Sequence, residues 1–114
     1  MALSVNNRTI AAKVVHCRSL WSKTRGLMFS TPLHDTALVF HFSRPERWSI
    51  HMLFVFFPID VIYLDGKRRV VDMVEGFRPF SLNYTPKKEA SYLVEMEGGM
   101  IGKKKISIGD YVRF

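Results

Sequence analysis

Apolar and polar positions alternate with a period of two over much of this chain, as in strands that turn one face to a core. Thr9 to Cys17 is rich in β-formers, with Val14 and Val15 side by side, and reads as one strand. Thr36 to Phe42 predicts another, with Ala37, Val39 and His41 on one face and the bulkier Leu38, Phe40 and Phe42 on the other. The densest apolar run, Ile50 to Gly66, carries the ionisable side chains of His51 and Asp60 among its apolar residues. At the buried centre of a sheet each would need a hydrogen-bond or charge partner, because an unpaired polar group there costs several kcal/mol.

Pro58 has no N–H to give a central ladder, so it marks a corner between a strand at Trp48 to Phe54 and one at Ile59 to Leu64. Asp65-Gly66 follows, the strongest hairpin signal in the chain, and predicts a type I′ turn leading into Val70 to Val74. Ser91 to Met96 and Tyr111 to Phe114 read as the last strands, the latter introduced by Gly109-Asp110. A Ser cap and a closing glycine predict about two turns of helix over Ser19 to Gly26, with Arg25 at its C-terminal end. A weaker helical signal covers Gly99 to Lys105. Several short strands with turns between them indicate a sandwich or barrel.

At 114 residues the chain is one β-rich domain, 1–114, large enough to bury a core without a staple. The hydrophobic fraction of 47% argues against disorder. The single cysteine, Cys17, has no internal disulfide partner and no zinc-site spacing around it, so a reducing compartment is expected and no metal or cofactor is. No secretory leader is visible and Met52 to Leu64 is too short and too broken for a bilayer span, which leads to the expectation of a cytoplasmic protein without a membrane span. A net charge of +7 favours anionic partners. The charge is spread, however: Lys67-Arg68-Arg69, Lys87-Lys88 and Lys103-Lys104-Lys105 each flank a Gly or Pro turn signal, where solvated charge is ordinary.

Five segments carry a family likeness: Thr24-Arg25-Gly26-Leu27-Met28-Phe29, Val39-Phe40-His41-Phe42, Phe57-Pro58-Ile59-Asp60-Val61-Ile62-Tyr63-Leu64-Asp65, Tyr92-Leu93-Val94-Glu95-Met96-Glu97-Gly98-Gly99 and Ile108-Gly109-Asp110-Tyr111-Val112. In order and spacing they resemble the prokaryotic family called domain of unknown function one hundred and ninety-two, with the Arg-Gly-Leu-Met element and the Pro-Ile-Asp-Val-Ile strand the most distinctive. The resemblance implies a mainly β fold, an antiparallel β-sandwich or jelly-roll-like half-barrel with one or two short helices, and implies no activity. Where many members of that family have Trp-Met-Lys-Asn-Thr, this chain has Ser49-Ile50-His51-Met52-Leu53, so a ligand using that Lys is not carried over.

Arg25, His51, Asp60 and Glu95 form the candidate site, because each is an ionisable group set in or beside an apolar element. Arg25 would fork an anion, while His51 with either carboxylate would handle protons. The competing structural reading pairs Arg25 with Asp60 or Glu95 as an ion pair that orients the helix. Lys103, Lys104 and Lys105, after Gly98-Gly99 and Gly102, are a candidate anion contact. His16-Cys17 reads as core, and His41 with His51 lacks a third metal ligand. Trp48, Phe77, Phe80 and Tyr84 with Arg44, Arg47 and Arg78 would suit a single-stranded nucleic acid. Three functions follow: a small soluble module binding an anionic ligand or a protein partner, a nucleic-acid-binding protein, or a small hydrolase or isomerase using His51 with Asp60 or Glu95.

Overall fold

The computed structural model describes residues 2–17, 35–47, 59–77 and 86–114. In chain order these form β1 (Leu3–Val5), β2 (Arg8–Ala11), β3 (Lys13–Cys17), β4 (Thr36–Glu46), β5 (Ile59–Leu64), β6 (Val70–Phe77), β7 (Ala90–Glu97), the short helix α1 (Met100–Lys104) and β8 (Val112–Arg113). They make a three-stranded sheet, β2-β1-β8, and a five-stranded sheet, β3-β4-β7-β5-β6. Every named pairing is antiparallel except β3 with β4. The fold is therefore the mainly β, sandwich-like architecture that the strand pattern predicts, with one short helix among the described residues.

The pleat sorts side chains into two cores. Between the sheets, Leu3, Val5, Ile10 and Val112 meet Val39, Ile62, Leu64, Val94 and Met96, with Ile101 and Ile106 closing one end. On the other face of the large sheet Leu38, Phe40, Ile59, Val61, Tyr63 and Leu93 form a second cluster. The expected alternation in β4 holds: Ala37 and Val39 face the first core, Leu38, Phe40 and Phe42 the second. All six residues of β5 are buried, which is why it reads as a near-continuous apolar run. Each fully buried aliphatic side chain there contributes about 2 kcal/mol, so the strand is anchored from both sides.

Two expectations are corrected. Thr9 to Cys17 is not one strand but two, parted at Ala12, and β2 and β3 belong to different sheets. The cause is Asp35, in the left-handed region at φ 54°, whose Oδ1 accepts the Ala12 N–H at 3.0 Å and whose carbonyl accepts the Lys13 N–H at 3.1 Å. The hairpin at Asp65-Gly66 exists, joining β5 to β6, but not through a type I′ turn. Gly66 is not among the residues with positive φ; Arg68 is, at 64°. The Asp65 Oδ1 accepts the N–H groups of Lys67 and Arg69, and the Asp65 carbonyl accepts that of Arg68, so the aspartate winds the turn and pushes the left-handed residue three places on.

A type I′ turn lies elsewhere, at Asn6-Asn7 between β1 and β2, with both φ values positive at 50° and 66°. The weak helical signal over Gly99 to Lys105 is α1. Ser91 to Met96 lies within β7, and Tyr111 bridges Arg69 just before β8. The expected helix at Ser19 to Gly26 and the strand at Trp48 to Phe54 lie outside the described residues.

Candidate functional site

Arg25 and His51 fall outside the described residues. Asp60 lies in β5 on the face towards the inter-sheet core and has no solvent exposure. Both of its oxygens are engaged: Oδ1 accepts the Gly76 N–H at 2.8 Å and Oδ2 the Ile101 N–H at 2.7 Å. Gly76 stands at φ 58° where β6 slips its register against β5. Ile101 is the second residue of α1, whose N-cap, Gly99, supplies no side-chain cap. Asp60 thus caps a helix from a distant strand, giving orphan N–H groups an anionic acceptor.

Glu95 sits in β7 between Leu38 of β4 and Val61 of β5. It is 1% exposed, and its Oε2 meets no hydrogen-bond partner among the described residues. Leu38, Phe40, Val61, Tyr63 and Leu93 share its face. Burial there pushes the Glu95 carboxyl well above its ordinary value, favouring the neutral acid. Asp60 pairs with Met96 and Val61 with Glu95, so the two carboxyl groups are one register step apart on neighbouring strands and point to opposite faces. The structure does not bring them together.

Lys103 and Lys104 occupy the last turn of α1, and Lys105 closes it in the left-handed region at φ 55°. Cations there complement the carbonyl end of the helix. Of the aromatic and arginine set, Trp48, Arg78, Phe80 and Tyr84 lie outside the described residues; Arg47 is described, and its Nε donates to the Pro86 carbonyl at 2.7 Å. No group of three or more His, Cys, Asp or Glu side chains poised for a metal occurs among the described residues. No helix among them is long and apolar enough to cross a membrane.

One cluster escapes the sequence pattern. His16 Nδ1 and His41 Nε2 share a hydrogen bond at 2.7 Å, and both rings border Phe114, at 6.0 and 6.2 Å between centroids. Tyr92 meets His41 and Phe114 edge-on, at 5.3 and 5.4 Å. The Arg68 guanidinium lies 4.0 Å over the Phe114 ring. Five separate segments supply these side chains, and no spacing along the chain announces them; only the parallel β3–β4 register and the His41–Tyr92 pairing do.

The chain is similar to known proteins in sequence and in fold. Over 96 residues the chain is 41% identical to a UPF0127 protein of Thermococcus sibiricus, covering 82% of this chain and 60% of that one. Over 89 residues it is 36% identical to a UPF0127 protein of Pyrococcus abyssi, covering 78% and 74%. The chain thus spans less than two thirds of the T. sibiricus relative. Among solved structures it is similar in fold to a protein of unknown function from Novosphingobium aromaticivorans, with a TM-score of 0.89 at 21% identity over 100% of this chain and 84% of that one. It is similar also to a putative transcription regulator from Sinorhizobium meliloti, with a TM-score of 0.83 at 19% identity over 88% and 79%. Those two likenesses concern the fold alone. A family model described as an uncharacterised conserved region, DUF192, matches residues 1–114, and the chain belongs to that family.

Proposed function

We propose that this chain is a small binding module that holds an anionic ligand or a segment of a protein partner on the face of the five-stranded sheet where Glu95 lies. The observation that carries the reading is the Glu95 Oε2 atom, fully buried and without a partner among the described residues, at the centre of an apolar face. A native fold rarely keeps such an atom unanswered, and its desolvation costs roughly 1–3 kcal/mol. A neutral carboxyl donates one O–H and accepts on its other oxygen, so it would bond a ligand carboxylate, a phosphate oxygen or a peptide carbonyl. Arg25 and His51 belong to the proposal as residues to be tested with it. The proton-transfer alternative is weaker with Asp60, whose two oxygens already hold backbone N–H groups. A cytoplasmic location is part of the proposal, supported by a lone cysteine.

The test is an amide NMR titration of labelled protein with short RNA and DNA and with a pool of anionic metabolites, at low and near-physiological salt. Salt-resistant shifts at Leu38, Val61 and Leu93 that weaken in Glu95→Gln support the reading. Shifts confined to Lys103 to Lys105 and erased by salt would replace it with an electrostatic nucleic-acid contact.

A further inference from the structure

We propose that Arg68 and Tyr92, mounted on the Phe114 ring beside the His16–His41 pair, form a second site that takes a small oxyanion, the carboxylate or phosphate group of a soluble molecule. It lies on the inter-sheet side of β4 and β7, away from the Glu95 face, and does not rest on the reading given for that face.

Arg68 has a left-handed φ of 64°, a conformation that glycine or asparagine adopts cheaply and that strains other residues. Two bonds hold it there: its N–H donates to the Asp65 carbonyl and its own carbonyl accepts the Val112 N–H, each at 2.9 Å. An arginine at a hairpin tip would ordinarily extend into water. This one folds back, its guanidinium 4.0 Å over Phe114 and 5.7 Å from the centre of the Tyr92 ring, with Nη1 donating to the Phe114 main-chain oxygen at 3.1 Å. The stack and the bond fix the plane of the fork before any ligand arrives.

That single bond is the one hydrogen bond the guanidinium makes among the described residues, so four of its five N–H donors remain for a ligand. A planar fork held in place matches the two oxygens of a carboxylate or phosphate and is worth more than a mobile cation. Tyr92 is half-buried, its ring centre lies 5.7 Å from the Arg68 guanidinium, and its hydroxyl donates to no described residue, so it is available as a neutral donor. The neighbouring acid, Asp65, is turned to the Lys67 and Arg69 N–H groups, and the Arg69 guanidinium is turned to the Gly109 carbonyl and the Tyr111 ring. Beside Tyr92, one imidazole of the His16–His41 pair donates to the other across their 2.7 Å contact. Because Arg68 already covers Phe114, the ligand meets the edge of the guanidinium and does not stack on the ring.

The experiment follows Arg68 Nε–H and the Tyr92 and Phe114 amides by NMR while inorganic phosphate, and separately acetate, is added at constant ionic strength against sodium chloride. Saturable shifts with either oxyanion and none with chloride are expected, and whichever anion binds more tightly identifies the ligand group. Arg68→Lys keeps the charge but removes the fork and should weaken binding about tenfold. Arg68→Gly, which fits the backbone, keeps the fold and should abolish the shifts. Equal responses to phosphate, acetate and chloride, or an unchanged affinity in Arg68→Lys, would overturn the proposal.

Discussion

Asp60 and Glu95 stand one register step apart on adjacent strands, yet Asp60 faces the core between the sheets and Glu95 the opposite cluster. Their chemistry divides accordingly. Asp60→Ala leaves the Gly76 and Ile101 N–H groups without their acceptor, and the variant should lose roughly 3 kcal/mol or more, read as the shift in a urea unfolding midpoint. Asp60→Asn keeps one acceptor but turns its amide NH2 towards the other N–H, and should recover only part of that loss. A near-neutral Asp60→Ala would show that these bonds do not hold α1.

Glu95 predicts a pH dependence of the opposite sense to an ion-paired carboxylate. Its folded-state value is raised above the ordinary 4.5, so above that pH the native state retains a proton that the unfolded chain has released. Stability from this group is therefore complete below the unfolded value and declines as pH rises towards the folded one, by at most about 1.4 kcal/mol per pH unit. Glu95→Gln removes the titration. Its unfolding free energy relative to the parent should climb steadily from pH 4.5 upwards; a flat difference would contradict the burial argument.

The Asn6-Asn7 turn offers a local test of backbone conformation. Both residues have positive φ, which asparagine tolerates and alanine does not. Asn7→Ala should lower stability by about 1 kcal/mol while Asn7→Gly holds close to the parent in thermal unfolding. Equal losses in the two variants would point to the asparagine side chain instead.

The shared bond between His16 Nδ1 and His41 Nε2 requires one nitrogen to carry a proton and the other a lone pair. Nitrogen-15 shifts of the two rings should report one protonated and one bare nitrogen at these positions in the native protein. Protons on both would mean that the rings do not bond each other.

Much of the architecture was legible along the chain because it rests on local pattern. The β5 run, the two faces of β4 and the hairpin after Leu64 follow from alternation and from Asp65-Gly66. The break at Ala12 was not legible, since the residue that makes it, Asp35, is 23 positions away. β1 is three residues long, too short to show a period. Asp60 and Glu95 could be picked out as ionisable groups in apolar strands, but their opposite facing depends on the β5–β7 register, and the capping role of Asp60 on a helix 41 positions later. The cluster around Phe114 draws on five elements or loops and has no local signature at all.

The single residue between β2 and β3 also sets how the molecule can come apart. With Ala12 tied to Asp35 on one side and strands of different sheets leaving it on the other, the small sheet has no slack with which to lift off the large one. Amide exchange in β1 and β8 should then share its opening free energy with β4 and β7, so that the sandwich breathes as one cooperative unit and not as two leaves.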